Sequence, residues 1–139
     1  MTARSATGTA SPEAVWDLLA RPARWAEWAP HVRGAWGLAG ADGVVREGAH
    51  GAARLGGVVP VPVRIFTVVP GRSWTWRVVG IVDMDHVVEP AANGAGSTVT
   101  VTVAAPQPLQ ATLDATYGPL VGLLVRRLVR VAERAPAGG

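Results

Sequence analysis

The chain contains no cysteine, which excludes a disulfide framework, a thiolate metal site and a thiol nucleophile. Lysine is absent too: all thirteen basic residues are arginine, so the net charge of +3 persists to high pH. Phenylalanine and tyrosine occur once each, as Phe66 and Tyr117, and six tryptophans take their place. No apolar run reaches the roughly 18 residues that a membrane span needs, and the N-terminus lacks the charged-then-apolar pattern of an export signal. A cytoplasmic protein without membrane insertion is expected. The arginines are scattered apart from the last helix, with no basic stripe interleaved with exposed aromatics, so nucleic-acid binding is not expected. His31, His50 and His86 show no metal-ligand spacing, and there is no G-x-S-x-G elbow, phosphate-cradling glycine loop or dinucleotide fingerprint. Neither a metal nor a cofactor is expected.

What the chain does have is apolar content, 49% of 139 residues against 17% charged, which argues against disorder and suffices for a real core. A single domain over residues 1–139 is expected, with a frayed tail at 136–139. Its organising stretch is Gln107 to Arg134, which reads as one long amphipathic helix. At about 100° per residue, Leu113, Tyr117, Leu120, Val121, Leu124, Leu128 and Val131 gather on one broad face. Arg126, Arg127, Arg130 and Arg134 gather opposite, as a solvated outer side. Pro119 removes the bond to the Ala115 carbonyl, which predicts a kink at Gly118-Pro119.

Ahead of that helix, Thr2 to Thr9 alternates weakly, as a short first strand. Ser11-Pro12-Glu13 combines a hydroxyl N-cap, proline at the first helical position and an acid in the first turn. The helix so started carries Val15, Trp16, Leu18 and Leu19 and stops before Pro22; a second, short one runs from Pro22 to about Trp28. A period of two then takes over, and Val32–Leu38, His50–Leu55, Pro60–Val69, Arg72–Val79, Ile81–Glu89 and Ser97–Ala104 read as strands. Two prolines near the start of Pro60–Val69 suit an edge strand or one bent at its start. Gly40-Ala41-Asp42-Gly43, Gly56-Gly57, Pro70-Gly71, Gly80 and Asn93-Gly94-Ala95-Gly96 punctuate the run. Short turns with no intervening helix imply an antiparallel meander and exclude a parallel βαβ architecture. The expected fold is α+β: a curved antiparallel sheet of six or seven strands wrapped around the long C-terminal helix, with two short helices after the first strand. An apolar chamber is expected between sheet and helix.

Several stretches carry a resemblance to a known family. Ser11 to Val32 (SPEAVWDLLARPARWAEWAPHV), Pro60 to Gly80 (PVPVRIFTVVPGRSWTWRVVG), and Val87 to Pro90 (VVEP) followed by a glycine-rich turn and GSTVTVTV resemble the polyketide cyclase/dehydrase branch of the START-like (SRPBCC) superfamily. The closing helix, with Gly118-Pro119 and paired arginines, is similar as well. The resemblance covers nearly the whole chain and implies a helix-grip fold with a deep apolar cavity for a hydrophobic small molecule. It implies two kinds of activity: cyclases and aromatases, lyase-like enzymes of polyketide biosynthesis, or carriers and sensors of lipids, sterols or hormones. The family's cyclases place an arginine on a central strand, with aromatic and hydroxyl side chains inside the cavity, and Arg64 is the nearest counterpart here.

Candidate site residues follow from alternation. His86 shares a strand face with Met84 and Val88, opposite Asp83 and Asp85. With the aspartates in water the imidazole faces the chamber, as general base or acid or as an orienter of a ligand oxygen. The competing reading is a core histidine hydrogen-bonded to a neighbour. Tyr117 would supply a hydroxyl donor, or be an ordinary core aromatic, and Arg64 would stabilise an oxyanion. Trp74 and Trp76 point the same way and are expected to line the chamber with Met84, Val88, Leu113, Leu120, Val121 and Leu124. Flat rings offer stacking surface, but they fill volume equally well. Trp25 and Trp28 read as plugs holding the short helices to the sheet, Trp28 being also a ligand-contact candidate, and Trp16 reads as core. Asp83 and Asp85 read as edge protection. The function expected is binding of a hydrophobic small molecule, foremost as a polyketide cyclase/dehydrase-like enzyme acting through proximity and orientation. The other reading is a non-catalytic carrier or sensor of a lipid-like or polyketide-like ligand. A protein-interaction module would need an exposed apolar patch, and none is legible. The partner is thus a hydrophobic ligand or substrate, taken up by a monomer or homodimer.

Overall fold

The structure, a computed structural model, describes residues 2–55, 60–92 and 94–134. Gly56-Gly57, Asn93 and the tail at 136–139 lie outside the described residues. Among the described residues, seven strands form one antiparallel sheet: β1 (Thr2–Gly8), β2 (Val32–Trp36), β3 (His50–Leu55), β4 (Val61–Val69), β5 (Ser73–Val78), β6 (Val82–Pro90) and β7 (Ser97–Ala104). Their spatial order is β1-β7-β6-β5-β4-β3-β2, so β2 to β7 are a meander and β1 returns to pair with the last strand. The two edges are therefore joined through α1 (Pro12–Ala20) and a 3-10 helix (Pro22–Glu27). Ser11 caps α1 as its sequence demands, its hydroxyl accepting the Ala14 N–H at 3.2 Å.

The alternation sorts each strand into two faces. Trp74, Trp76 and Val78 of β5, Met84, His86 and Val88 of β6, and Val99, Val101 and Val103 of β7 all point inward and are buried. The outward residues pair across strands instead. Asp85 accepts from the Thr75 hydroxyl at 2.8 Å, and Asp83 takes the Arg77 guanidinium at 2.7 and 3.0 Å. On β1 and β7, Ser5 meets Thr100 and Thr7 meets Thr98, each at 2.8 Å. Pairs of this kind contribute roughly 0.2–1 kcal/mol each. Asp83 and Asp85 thus bind neighbours on a strand that has partners on both sides, and they protect no edge.

Two further expectations change. β4 lies between β3 and β5, not at an edge. Pro62, which has no N–H, still takes part in the sheet through its carbonyl, which accepts the Val79 N–H at 2.9 Å. The irregularity of β4 falls later, between Ile65 and Thr67. The long C-terminal helix is two, α2 (Leu109–Thr116) and α3 (Gly118–Arg134), divided at Tyr117 just ahead of Gly118-Pro119. The phase nonetheless runs through the break, since Tyr117 stays helical, its N–H donates to the Leu113 carbonyl and its own carbonyl accepts the Val121 N–H. The buried row of α3 is Gly118, Val121, Val125, Leu128, Val129 and Ala132; Val121 and Leu128 belong to the expected face, while Leu124 and Val131 pack half-buried beside that row.

α3 lies against β1, β7 and α1. Gly8 permits this approach, since a Cβ there would sit 2.1 Å from Val129 Cγ1 and 2.6 Å from Glu133 Oε2. Glu133 fastens the same spot by accepting the Thr9 N–H at 2.7 Å and its hydroxyl at 3.0 Å. The inner face over β5 is covered differently, by tryptophans from the segment that follows α1. Trp25 donates its indole N–H to the Leu19 carbonyl at 2.8 Å and Trp28 donates to Leu18 at 3.0 Å. Both acceptors belong to the last turn of α1, where backbone carbonyls have no helical partner. Trp25 also packs on Trp74 and Trp76 of β5, the plug expected of it, and both indoles cap a helix.

Candidate ligand site

A chamber lies between the inner face of β5, β6 and β7, the 3-10 helix segment and α3. Its sheet wall is Trp74, Trp76, Met84, His86 and Val101; its helical wall is Tyr117, Val121, Leu124 and Val125; Trp25, Trp28, Ala29, His31 and Val32 close the remaining side. The free volume is about 50 Å³. That is room for a few waters at roughly 10–15 Å³ each, well below the ~300 Å³ or more of a typical small-molecule pocket. The sheet therefore does not close solidly on the helix, and the chamber is narrow rather than deep.

Its own rings take up the space. Trp25, Trp74 and His86 form a three-layer stack, with centroids 5.4 Å apart for the tryptophans and 3.8 Å for Trp74 on His86, both pairs within 11° of parallel. Trp76 stands edge-on to all three at 5.3–6.0 Å. Such pairs contribute about 0.5–1.5 kcal/mol each beyond their burial. Unlike Trp25 and Trp28, neither Trp74 nor Trp76 has a partner for its indole N–H among the described residues, and both nitrogens are buried. Nδ1 of His31 is in the same condition.

His86 Nδ1 lies 3.1 Å from the Trp74 carbonyl. A carbonyl only accepts, so this contact assigns the proton to Nδ1 and leaves Nε2 as an acceptor. Burial pushes the pKa down to about 4, against smaller upward effects of the Trp74 carbonyl and of Asp85. At neutral pH only about one ring in a thousand is protonated, so His86 is a hydrogen-bond acceptor and a weak base, not a general acid. Burial lowers His31 as well, and raises the Tyr117 phenol. The lining, among the described residues, contains no arginine, aspartate or glutamate. Among the described residues no cluster of three or more His, Asp or Glu could hold a metal ion.

Of the residues expected in the site, His86, Tyr117, Trp74, Trp76, Met84, Val121, Leu124 and Trp28 meet here. Arg64 does not. β4 turns Val63 and Ile65 inward, so the intervening Arg64 is exposed on the outer face, its guanidinium 4.9 Å from the Phe66 ring centre. An oxyanion in the chamber is out of its reach. Val88 is fully buried but belongs to the surrounding core, two residues beyond His86. Leu113 and Leu120 are half-buried and lie outside the lining, on the flank of the helix and not at the centre of its buried face. Sequence reasoning missed Trp25, His31, Val101 and Val125 as lining. Val101 was legible in the β7 alternation, and Val125 in its place one turn beyond Val121 on the same helix face. His31, in the link after Pro30, carried no periodic signal.

A seven-stranded antiparallel sheet gripping a C-terminal helix around a chamber of aromatic rings defines a helix-grip protein of the START-like class. The sequence matches the family described as polyketide cyclase / dehydrase and lipid transport over residues 2–135, and the chain belongs to it. No curated protein matches. Among solved structures, protein MLL2253 from Mesorhizobium loti superposes with a TM-score of 0.76 at 12% identity, covering 96% of this chain and 97% of that one. The Aha1 dimer from Colwellia psychrerythraea gives 0.71 at 15% identity, with 96% of each chain covered. DynU16, described as a putative protein in the dynemicin biosynthetic locus, gives 0.72 at 19% identity; 96% of this chain covers only 47% of that one. At these identities the likeness is one of fold.

Proposed function

We propose that this protein takes up a hydrophobic small molecule in the aromatic chamber and holds it without changing it, as a carrier or sensor. The observation that supports this is the lining itself. It consists of apolar side chains and rings, with no permanently charged group and with a histidine held neutral at physiological pH. A general acid for dehydration and a cation for an enolate are both wanting, because His86 is pushed down to about 4 and Arg64 stands outside. The family description, which names lipid transport beside cyclase chemistry, agrees with either use of the fold. Native mass spectrometry of gently purified protein tests this reading. A stoichiometric, chemically unchanged apolar adduct is expected; protein that takes up no apolar compound from a mixed panel would refute it.

One observation favours a second reading, the cyclase type. Tyr117 and His86 both line the chamber, a neutral hydroxyl donor and an acceptor nitrogen. A reactive poly-β-carbonyl chain held folded between them needs little more than orientation to close, with Tyr117 donating to a carbonyl oxygen and His86 Nε2 receiving the proton. Under this reading the wild type changes the product distribution of such a chain, and Tyr117→Phe returns it toward that of the spontaneous reaction. Products identical to the spontaneous ones from the wild type would exclude it.

A further inference from the structure

Among the described residues, two indole N–H groups of the chamber wall have no hydrogen-bond partner, though Trp74 is 1% exposed and Trp76 is 6% exposed. A buried donor left unmatched is costly, and native structures contain few. The other two indoles of the same cluster, Trp25 and Trp28, each find a carbonyl, so the fold does satisfy such groups where it has an acceptor at hand. An indole nitrogen can only donate. What would complement Trp74 and Trp76 is therefore an acceptor, and the apolar, uncharged surroundings require that acceptor to be neutral. A carboxylate entering here would lose its hydration with no arginine to receive it. The stacked rings, within 11° of parallel, favour a flat guest.

We infer that the ligand of this chamber is a flat, neutral molecule carrying at least one carbonyl oxygen, which accepts from the Trp74 and Trp76 indoles. This rests on the uptake reading above and names the chemical class that it would admit. It excludes fatty acids and other anionic lipids as the preferred guests. With only about 50 Å³ free, a guest of two or three fused rings enters by parting Trp25 and Trp28 from the sheet-borne rings. The same parting gives an acceptor access to nitrogens that are now enclosed. His31, whose Nδ1 is also enclosed and unmatched, sits at the closing side and offers a further polar contact as the rings separate.

Three compounds of one skeleton test this: fluorene, 9-fluorenone and fluorene-2-carboxylate, measured by equilibrium dialysis against the full chain. The ketone is expected to bind about tenfold tighter than the hydrocarbon, the gain of one or two neutral hydrogen bonds to buried donors. The carboxylate is expected to bind at least tenfold more weakly than the ketone. The infrared carbonyl stretch of bound fluorenone should move to lower wavenumber than in hydrocarbon solvent. Trp76→Phe should reduce the preference for ketone over hydrocarbon while fluorene itself still binds. Equal affinity for fluorene and fluorenone, an unshifted carbonyl stretch, or tightest binding of the carboxylate would each overturn the inference while leaving apolar uptake intact. Binding of none of the three would overturn the uptake reading and the inference together. Because the wild-type comparison stands alone, a Trp76→Phe chain that failed to fold would not shelter the claim.

Discussion

His86 is stacked on Trp74, bonded through Nδ1 to that residue's carbonyl, and held neutral by burial. Its pKa of about 4 in the folded chain, against the ordinary 6.5, makes folding pH-dependent. The unfolded chain binds the proton more readily, so stability is full above about pH 6.5 and falls as pH drops toward 4. Over that window the loss is about 3 kcal/mol. Denaturant titrations at pH 7 and pH 4.5 should show most of it, and His86→Phe, which keeps the stack but cannot titrate, should lose much less between the same two pH values. Equal losses in both proteins would mean that His86 does not carry the effect.

A second residue is strained where the chamber residues are not. Val79 has φ 56° in the β5–β6 turn, followed by Gly80 at 75°, and Val79 is half exposed. A β-branched side chain disfavours this left-handed conformation, and asparagine tolerates it best after glycine. Val79→Asn keeps the N–H that the Pro62 carbonyl accepts. It should raise stability by about 1 kcal/mol, read as a higher denaturation midpoint at unchanged slope. A lower midpoint would show that the valine side chain packs favourably there.

At the scale of elements, the strands were legible because their code has period two and their turns carry glycine or proline. β5 to β7 could be read face by face, and with them Trp74, Trp76, Met84 and His86. The same rule applied to β4 would have excluded Arg64, since Val63 and Ile65 claim the inner face. The C-terminal helix was harder. A wheel shows where apolar residues are densest, around Leu120 and Leu124, whereas the buried arc is centred on Val121 and Val125, where small and branched side chains let the helix approach the sheet. The closing side of the chamber was least legible, because Trp25, Trp28 and His31 reach it from a 3-10 helix and a link whose direction no periodicity encodes.

The seat of α3 depends on Gly8, as the 2.1 Å between its hypothetical Cβ and Val129 Cγ1 implies. Gly8→Ala should destabilise by roughly 1–3 kcal/mol, the usual range for overpacking. Tm measured by circular dichroism checks it. No change would mean that α3 can shift away from β1 freely, and its place over the chamber would then be less fixed than described.

For the whole molecule, the sheet and the helices enclose a space whose walls are greasy and whose interior is largely its own rings. Among the described residues no helix is long and apolar enough to cross a membrane. The fold keeps a narrow chamber open between α3 and the sheet, and ligand uptake then consists of exchanging ring–ring contacts for ring–ligand ones. A guest that binds only the folded chain should raise its stability by about 2.7 kcal/mol at a hundred times its dissociation constant. Where the guest sits can be read without a further structure, because each tryptophan carries one indole N–H resonance. In a 1H–15N titration with 9-fluorenone, the indole signals of Trp74, Trp76 and Trp25 should shift while that of the exposed Trp36 stays in place. Shifts confined to Trp36, or none at all, would contradict a ligand-binding chamber between this helix and this sheet.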